Sequence, residues 1–142
     1  MIQDDFALFS HWRTLCEGLY DNINPHGTGM DISFESIQLN ESAMGKMCSC
    51  LRGKNVRNVA FTDIEFTNMR AAIQSLSFML KYTPQVKSLV WSGISIESGD
   101  DMALFVQMIS EGHSGLEELD FCCNGSSNAQ ALLAGVDLSK YK

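Results

Sequence analysis

The sequence predicts an α/β solenoid, with a curved parallel sheet inside and helices outside, and three observations carry that expectation. First, one apolar frame recurs. The stretch Val86, Leu89, Trp91, Ile94, Ile96 returns upstream as Val56, Val59, Phe61, Ile64, Phe66 and before that as Ile32, Phe34, Ile37, Leu39, and downstream as Leu116, Leu119, Phe121, Asn124. The anchors Ile32, Val59, Leu89 and Leu119 stand 27, 30 and 30 residues apart, a period that marks a stacked-repeat architecture. Second, each frame is followed by apolar residues at helical spacing. Third, the residues that alternate with the anchors are polar or small, so one sheet face is expected to stand open to solvent. A doubly wound sheet would have helices on both faces and strands that read as continuous apolar runs.

Ahead of the repeats, Phe6, Phe9, Trp12, Cys16 and Leu19 recur at intervals of three and four. They predict an amphipathic helix from Asp4 to Tyr20 with Asp4 and Asp5 favourably placed at its N-terminus. This helix is expected to pack over the first unit, as a cap or as the back half of a preceding one. Asn22 to Gly29 is turn chemistry. Residues 1–29 therefore form an N-terminal segment and residues 30–142 about four repeats, the last incomplete.

In the first unit, Asn40 or Ser42 can cap a helix whose buried stripe is Met44, Met47, Cys48 and Leu51, with Gly53 as its stop. In the second, Thr67 or Asn68 caps a helix with Met69, Ile73, Leu76, Met79 and Leu80 on one face, ended by Pro84. The third enters its helix through Ser98-Gly99-Asp100-Asp101, buries Met102, Phe105, Val106 and Ile109, and stops at Gly112. The fourth turns at Asn124-Gly125 and presents Ala129, Leu132, Leu133 and Val136.

Composition narrows the function classes. The 142 residues carry a net charge of −7 and a pI near 4.8, with no basic stripe to displace counterions from a phosphate backbone, so no nucleic acid partner is expected. No apolar run approaches the roughly 20 residues that span a bilayer, and the N-terminus lacks the basic flank and apolar stretch of a signal peptide. An intracellular, cytoplasmic protein with no membrane association is expected. The five cysteines, Cys16, Cys48, Cys50, Cys122 and Cys123, form no even framework and read as reduced thiols. Neither Cys48-Ser49-Cys50 nor Cys122-Cys123 has the two-residue gap of a zinc knuckle, so no metal is expected.

Catalytic chemistry finds no foothold. His11, His26 and His113 stand without a Ser or Cys and an acid in any recognisable arrangement. Asn24 to Gly29 follows no strand and lacks the Lys and Ser/Thr of a phosphate loop. Asp100 and Asp101 suit a helix start. The expectation is a nonenzymatic chain without cofactors.

The run Leu116-Glu117-Glu118-Leu119-Asp120-Phe121-Cys122-Cys123-Asn124 fits Leu-x-x-Leu-x-Leu-x-x-Asn, with Phe121 at the third apolar site. From about Met30 onward the chain resembles the leucine-rich repeat family, and a full helix in each unit is similar to its ribonuclease-inhibitor-like subtype. The resemblance implies a right-handed α/β horseshoe that binds proteins. Ile37, Ile64 and Ile94 stand where the family places Asn, whose amide bonds the turn backbone. Isoleucine there is expected to pack inward and to leave the turn's polar groups to water or neighbours.

The candidate binding surface is the concave strand face: Asp31, Ser33 and Glu35, then Asn58, Ala60 and Thr62, then Ser88, Val90 and Ser92, then Glu118, Asp120 and Cys122. Acids on its end strands point to a protein partner with a basic segment, bound without catalysis. The alternative is a regulatory subunit, such as a GTPase activator or a ubiquitin-ligase substrate receptor, roles that related repeat proteins take. The former would offer an exposed catalytic Arg or Asn, and the latter an adaptor-binding domain for which this chain has no room. The chain is expected to be part of a longer array, with Leu132 and Leu133 facing water at an uncapped C-terminal edge through which it self-associates.

Overall fold

A computed structural model describes residues 9–22, 29–111 and 115–141, with side chains described only for residues 11–18 of the first segment. Asp4, Asp5, Phe6, residues 23–28 with His26, Gly112 and His113 lie outside the described residues, as do the side chains of Phe9 and Leu19. The element order is α1 (Phe9–Asn22), β1 (Met30–Glu35), β2 (Gln38–Leu39), α2 (Glu41–Leu51), β3 (Val56–Thr62), β4 (Glu65–Phe66), α3 (Met69–Lys81), β5 (Ser88–Ser92), α4 (Gly99–Glu111), β6 (Glu118–Cys122) and α5 (Ser126–Gly135).

The chain is α/β. Its main sheet is parallel, with four strands in the order β1-β3-β5-β6. The helices pack in chain order, α1 on α2, α2 on α3, α3 on α4 and α4 on α5, and so make one layer. That layer covers one sheet face only, since strand residues are buried at alternate positions. A doubly wound arrangement, which covers both faces, does not describe it.

Register is shared along the sheet. Ile32 pairs with Val59, Val59 with Leu89 and Leu89 with Leu119, and two residues on Phe34, Phe61, Trp91 and Phe121 align in the same way. These rows point at the helices, and Val59, Phe61, Leu89 and Trp91 are fully buried. The second row is aromatic throughout. Phe34 stacks on Phe61 at 5.6 Å, Phe61 meets Trp91 at 6.0 Å, and Phe66 stacks on Trp91 at 5.4 Å. Phe105 of α4 then bridges Trp91 at 5.0 Å and Phe121 at 5.4 Å. The buried indole N–H donates to the Ile94 carbonyl at 3.2 Å, so Trp91 has no unsatisfied polar atom.

Helix starts follow the predicted caps. Asn40 accepts from the Ala43 N–H at 2.8 Å and Asn68 from the Ala71 N–H at 3.1 Å, which selects these two over Ser42 and Thr67. The α2 stripe Met44, Met47, Cys48 and Leu51 is buried, as is the α3 stripe apart from half-buried Met69. In α4, Met108 joins Met102, Phe105 and Ile109 in the core, while Val106 is only half-buried. On α1, Cys16 is buried and Trp12 half-buried, in line with the predicted stripe, and the helix runs to Asn22, inside the segment expected to turn.

Each main strand ends in a left-handed residue at the same step of the frame: Ser36, Asp63, Gly93 and Cys123, with φ of 54°, 51°, 67° and 58°. The turns are laddered. The N–H groups of Ser36, Asp63 and Gly93 donate to the carbonyls of Thr62, Ser92 and Cys122 on the next strand, at 3.0, 2.9 and 3.0 Å. Gly93 adopts this step without the steric cost of a Cβ, and the Asp63 carboxylate lies in the space a Cβ there would fill.

Beyond these turns the units differ, and a second sheet appears that the sequence frame does not foresee. β2 and β4 pair in parallel, Gln38 with Glu65 and Leu39 with Phe66. Ile64 and Ile94 pack inward as expected, whereas Ile37 is only half-buried because it lies toward the first-strand end of the layer. Its carbonyl accepts from the Glu65 N–H at 3.1 Å, so a neighbouring unit satisfies that turn. In the fourth unit, Asn124 takes over this work. Its amide donates to the Trp91 carbonyl at 2.9 Å and accepts from the Ile94 N–H at 2.8 Å. Asn128, on the first turn of α5, accepts from the Ile96 N–H at 2.7 Å and donates to the Ile96 carbonyl at 3.0 Å. One side-chain amide thus supplies what β4 supplies to β2.

The fourth helix face departs from expectation. Asn128 and Leu132, one turn apart, point inward, and Leu132 is 5% exposed, so it does not face water. Leu133 is 64% exposed and does face water, as expected. Val136 is buried beyond the helix end. A short 3-10 turn, Leu138–Lys140, then brings Lys140 Nζ and the Tyr141 hydroxyl to the Ile109 carbonyl, each at 3.2 Å, satisfying an acceptor in the last turn of α4.

Two stability outcomes follow from this packing. Trp91→Ala lowers unfolding free energy by about 3–5 kcal/mol, as for other large-to-small core changes, while Ser92→Ala on the opposite face is near neutral; urea denaturation of both variants checks the strand phase. Asn128→Ala strands a buried donor and a buried acceptor at Ile96, at roughly 1–3 kcal/mol each, whereas Ala at the exposed neighbour Ser127 changes stability little. Equal denaturation midpoints for the Asn128 and Ser127 variants would show that water replaces the amide.

Candidate functional site

The twelve residues expected on the concave face form an ordered grid on the uncovered side of the sheet. Shared register aligns Asp31, Asn58, Ser88 and Glu118 in one row, Ser33, Ala60, Val90 and Asp120 in the next, and Glu35, Thr62, Ser92 and Cys122 in the third. All twelve are exposed or half-exposed. The alternation that buries the aromatic row necessarily turns these residues outward.

Charge on the grid is arranged by strand. The outer strands β1 and β6 carry Asp31, Glu35, Glu118 and Asp120, and the grid positions of the inner strands β3 and β5 are all neutral. None of the twelve is basic. Asn58 donates to Asp31 at 2.6 Å, which holds that carboxylate against the sheet. The flanking cations Arg57 and Lys87 stand at the strand starts, where Lys87 pairs with Glu117 at 3.6 Å across a solvent-exposed gap. The result is a small, neutral floor with acidic walls.

Nucleophilic chemistry has little support on this surface. Cys122 lies 3.1 Å from the Ser92 hydroxyl. That hydrogen bond lowers its pKa, but the hydrogen bond and charge of Asp120, with Cys123 beside it, raise it further, so the thiol stays protonated at neutral pH. Cys16 and Cys48 are further from reactivity, each pushed up to about 12, chiefly by burial and then by neighbouring thiols. His11 is exposed on α1. Among the described residues no group of three or more His, Cys, Asp or Glu side chains is placed to hold a metal ion, and no helix is long and apolar enough to cross a membrane.

A cavity of about 490 Å³ opens between α4 and α5, away from the grid, lined by Met102, Ala103, Val106, Ala131 and Gly135 among others. Gly135 lets the helices approach, since a Cβ there would collide with Val106. Two residues missed by the sequence reading are the buried amide Asn128 and the buried hydroxyl of Thr83, which accepts from the Gly53 N–H at 2.9 Å. Asn128 was detectable in principle, because it precedes Leu132 by one helical turn. No family model matches the chain, and no curated protein matches its sequence.

Proposed function

We propose that the chain is a leucine-rich-repeat solenoid of the ribonuclease-inhibitor-like kind that works as a noncatalytic protein-interaction module. The partner docks on the open strand face and presents a basic segment. The observation that carries this reading is the grid itself: twelve outward side chains in register, acidic at both flanks and without a single cation. Such a surface is large, rigid and complementary to positive charge, which favours fast encounter with a basic partner. Repeat support comes from four strand, left-handed turn and helix units in one frame, with helices on one face only. Unpaired thiols at all five cysteines suit a reducing, intracellular compartment.

The test is affinity capture with the recombinant chain, followed by mass-spectrometric identification of bound proteins. Glu118→Lys and Asp120→Lys together are expected to slow association with the captured partner and to reduce its sensitivity to salt, because charges at a rim act mainly on encounter. Association rates that match wild type at every ionic strength would place the interface elsewhere.

The same reading extends to self-association. β6 has no pairing partner on its outer side among the described residues, and Leu119 and Phe121 are only half-buried where Leu89 and Trp91 are sealed. Unpaired strand edges template pairing with other chains. Sedimentation of the isolated 142-residue chain is expected to show mass rising with concentration; a concentration-independent monomer would remove this part of the proposal.

A further inference from the structure

The outer side of the helix layer carries an exposed aromatic and cationic cluster to which the strand-face reading assigns no role. Phe78 and Tyr82, one turn apart at the C-terminal end of α3, are 47% and 49% exposed and pack edge to face at 4.9 Å. Arg52, just past α2, lies over both rings, 4.9 Å from Phe78 and 5.8 Å from Tyr82. Lys81 Nζ approaches the Tyr82 ring at 5.6 Å. Among the described residues neither Arg52 nor Lys81 has a carboxylate partner.

The cluster is built rather than incidental. Gly53 takes φ of +71° to end α2, and its N–H is clamped to the fully buried Thr83 hydroxyl at 2.9 Å, which ties the Arg52 loop to the end of α3. The Tyr82 carbonyl lies 3.8 Å from the position of a Cβ on Gly53, so loop and helix end are in contact. The backbone that carries Arg52 is therefore fixed beside the end of α3 that carries the two rings.

We propose that Arg52, Phe78, Lys81 and Tyr82 form a second docking site, for an acidic peptide segment of a partner protein that carries one large apolar side chain among its carboxylates. Charge complementarity selects this occupant. In a chain of net charge −7, two cations without carboxylate partners sit at the C-terminal ends of helices, where the backbone dipoles favour them, and it is these cations that attract an approaching carboxylate. Exposed rings call for an apolar partner, and Tyr, Phe and Arg are side chains enriched at interfaces, Tyr and Arg at their hot spots too. A basic segment, the proposed ligand of the strand face, is repelled here. The two surfaces lie on opposite sides of the molecule and have opposite chemistry, so either proposal can fail while the other stands.

The experiment titrates the ¹⁵N-labelled chain with a synthetic peptide of Glu and Asp around a central Phe, and with a control in which every acid is Lys. The acidic peptide is expected to move the amide signals of Arg52, Gly53, Phe78, Lys81 and Tyr82 and to leave those of Asn58, Val90 and Ser92 in place. Raising salt weakens the effect, and Arg52→Glu and Phe78→Ser, both at exposed positions, each weaken binding about tenfold or more. The proposal falls if the acidic peptide moves none of these signals, if the Lys control moves them equally, or if both variants bind as wild type. It also falls if vesicles containing phosphatidylserine move them and the peptide does not, which would make a lipid surface the ligand.

Discussion

The register of the parallel strands is the constraint on which the remaining structure depends. Because Ile32, Val59, Leu89 and Leu119 pair without offset, and Phe34, Phe61, Trp91 and Phe121 likewise, every inward side chain meets its counterpart in the next unit. A slip of one residue would turn the aromatic row to solvent and drive the acids of β1 and β6 into the core. The penalty for that exchange is several buried aromatic side chains and several buried charges at once, so one register is strongly specified. Trp91 sits at the centre of this arrangement, in contact with Phe61, Phe66 and Phe105.

Outside the strands the units keep the same path with different chemistry. The left-handed residue recurs in all four turns, although only Gly93 is glycine. Three non-glycine residues hold a conformation that ordinarily costs free energy, and at Ser36 and Asp63 laddered hydrogen bonds to the next unit offset the strain. Past the turn, a backbone pair joins β2 to β4, while the side chains of Asn124 and Asn128 serve the third unit. The Ile96 carbonyl, which the Asn128 amide serves, stands at the frame position of the Leu39 carbonyl, which the Thr67 N–H serves. An isoleucine at the turn is compatible with this fold where the next unit supplies the partner, as the Glu65 N–H does for the Ile37 carbonyl and the Asn124 amide does for the Ile94 N–H.

The two sides of the molecule inherit their chemistry from this scheme. The strand face is polar because alternation leaves it outside, and it is acidic at its flanks because β1 and β6 place carboxylates there. On the helix side, Arg52 stands just past α2 and Lys81 in the last turn of α3, where unsatisfied carbonyl dipoles attract cations. The aromatic pair at Phe78 and Tyr82 falls among these cations by helical geometry, one turn separating the two rings.

Much of this was legible from residue order. The strand frame, the inward stripes of α2 and α3, the caps at Asn40 and Asn68 and the outward grid all follow from periodicities of two and 3.6, which are local properties of the chain. Three features were decided only by tertiary contact. Leu132 points to the core rather than to water because α5 packs on α4 and the Asn128 amide, one turn before it, is held by the Ile96 backbone. The short β2–β4 sheet exists because two turns of equal length come into register, a relation between units rather than within one. Phe78 is left outside the α3 stripe by phase alone, but its place beneath Arg52 depends on how the α2 loop is clamped to Thr83. Periodicity determines which face of an element is buried; what meets that face, and what gathers on the other, is set by the neighbours that folding brings alongside.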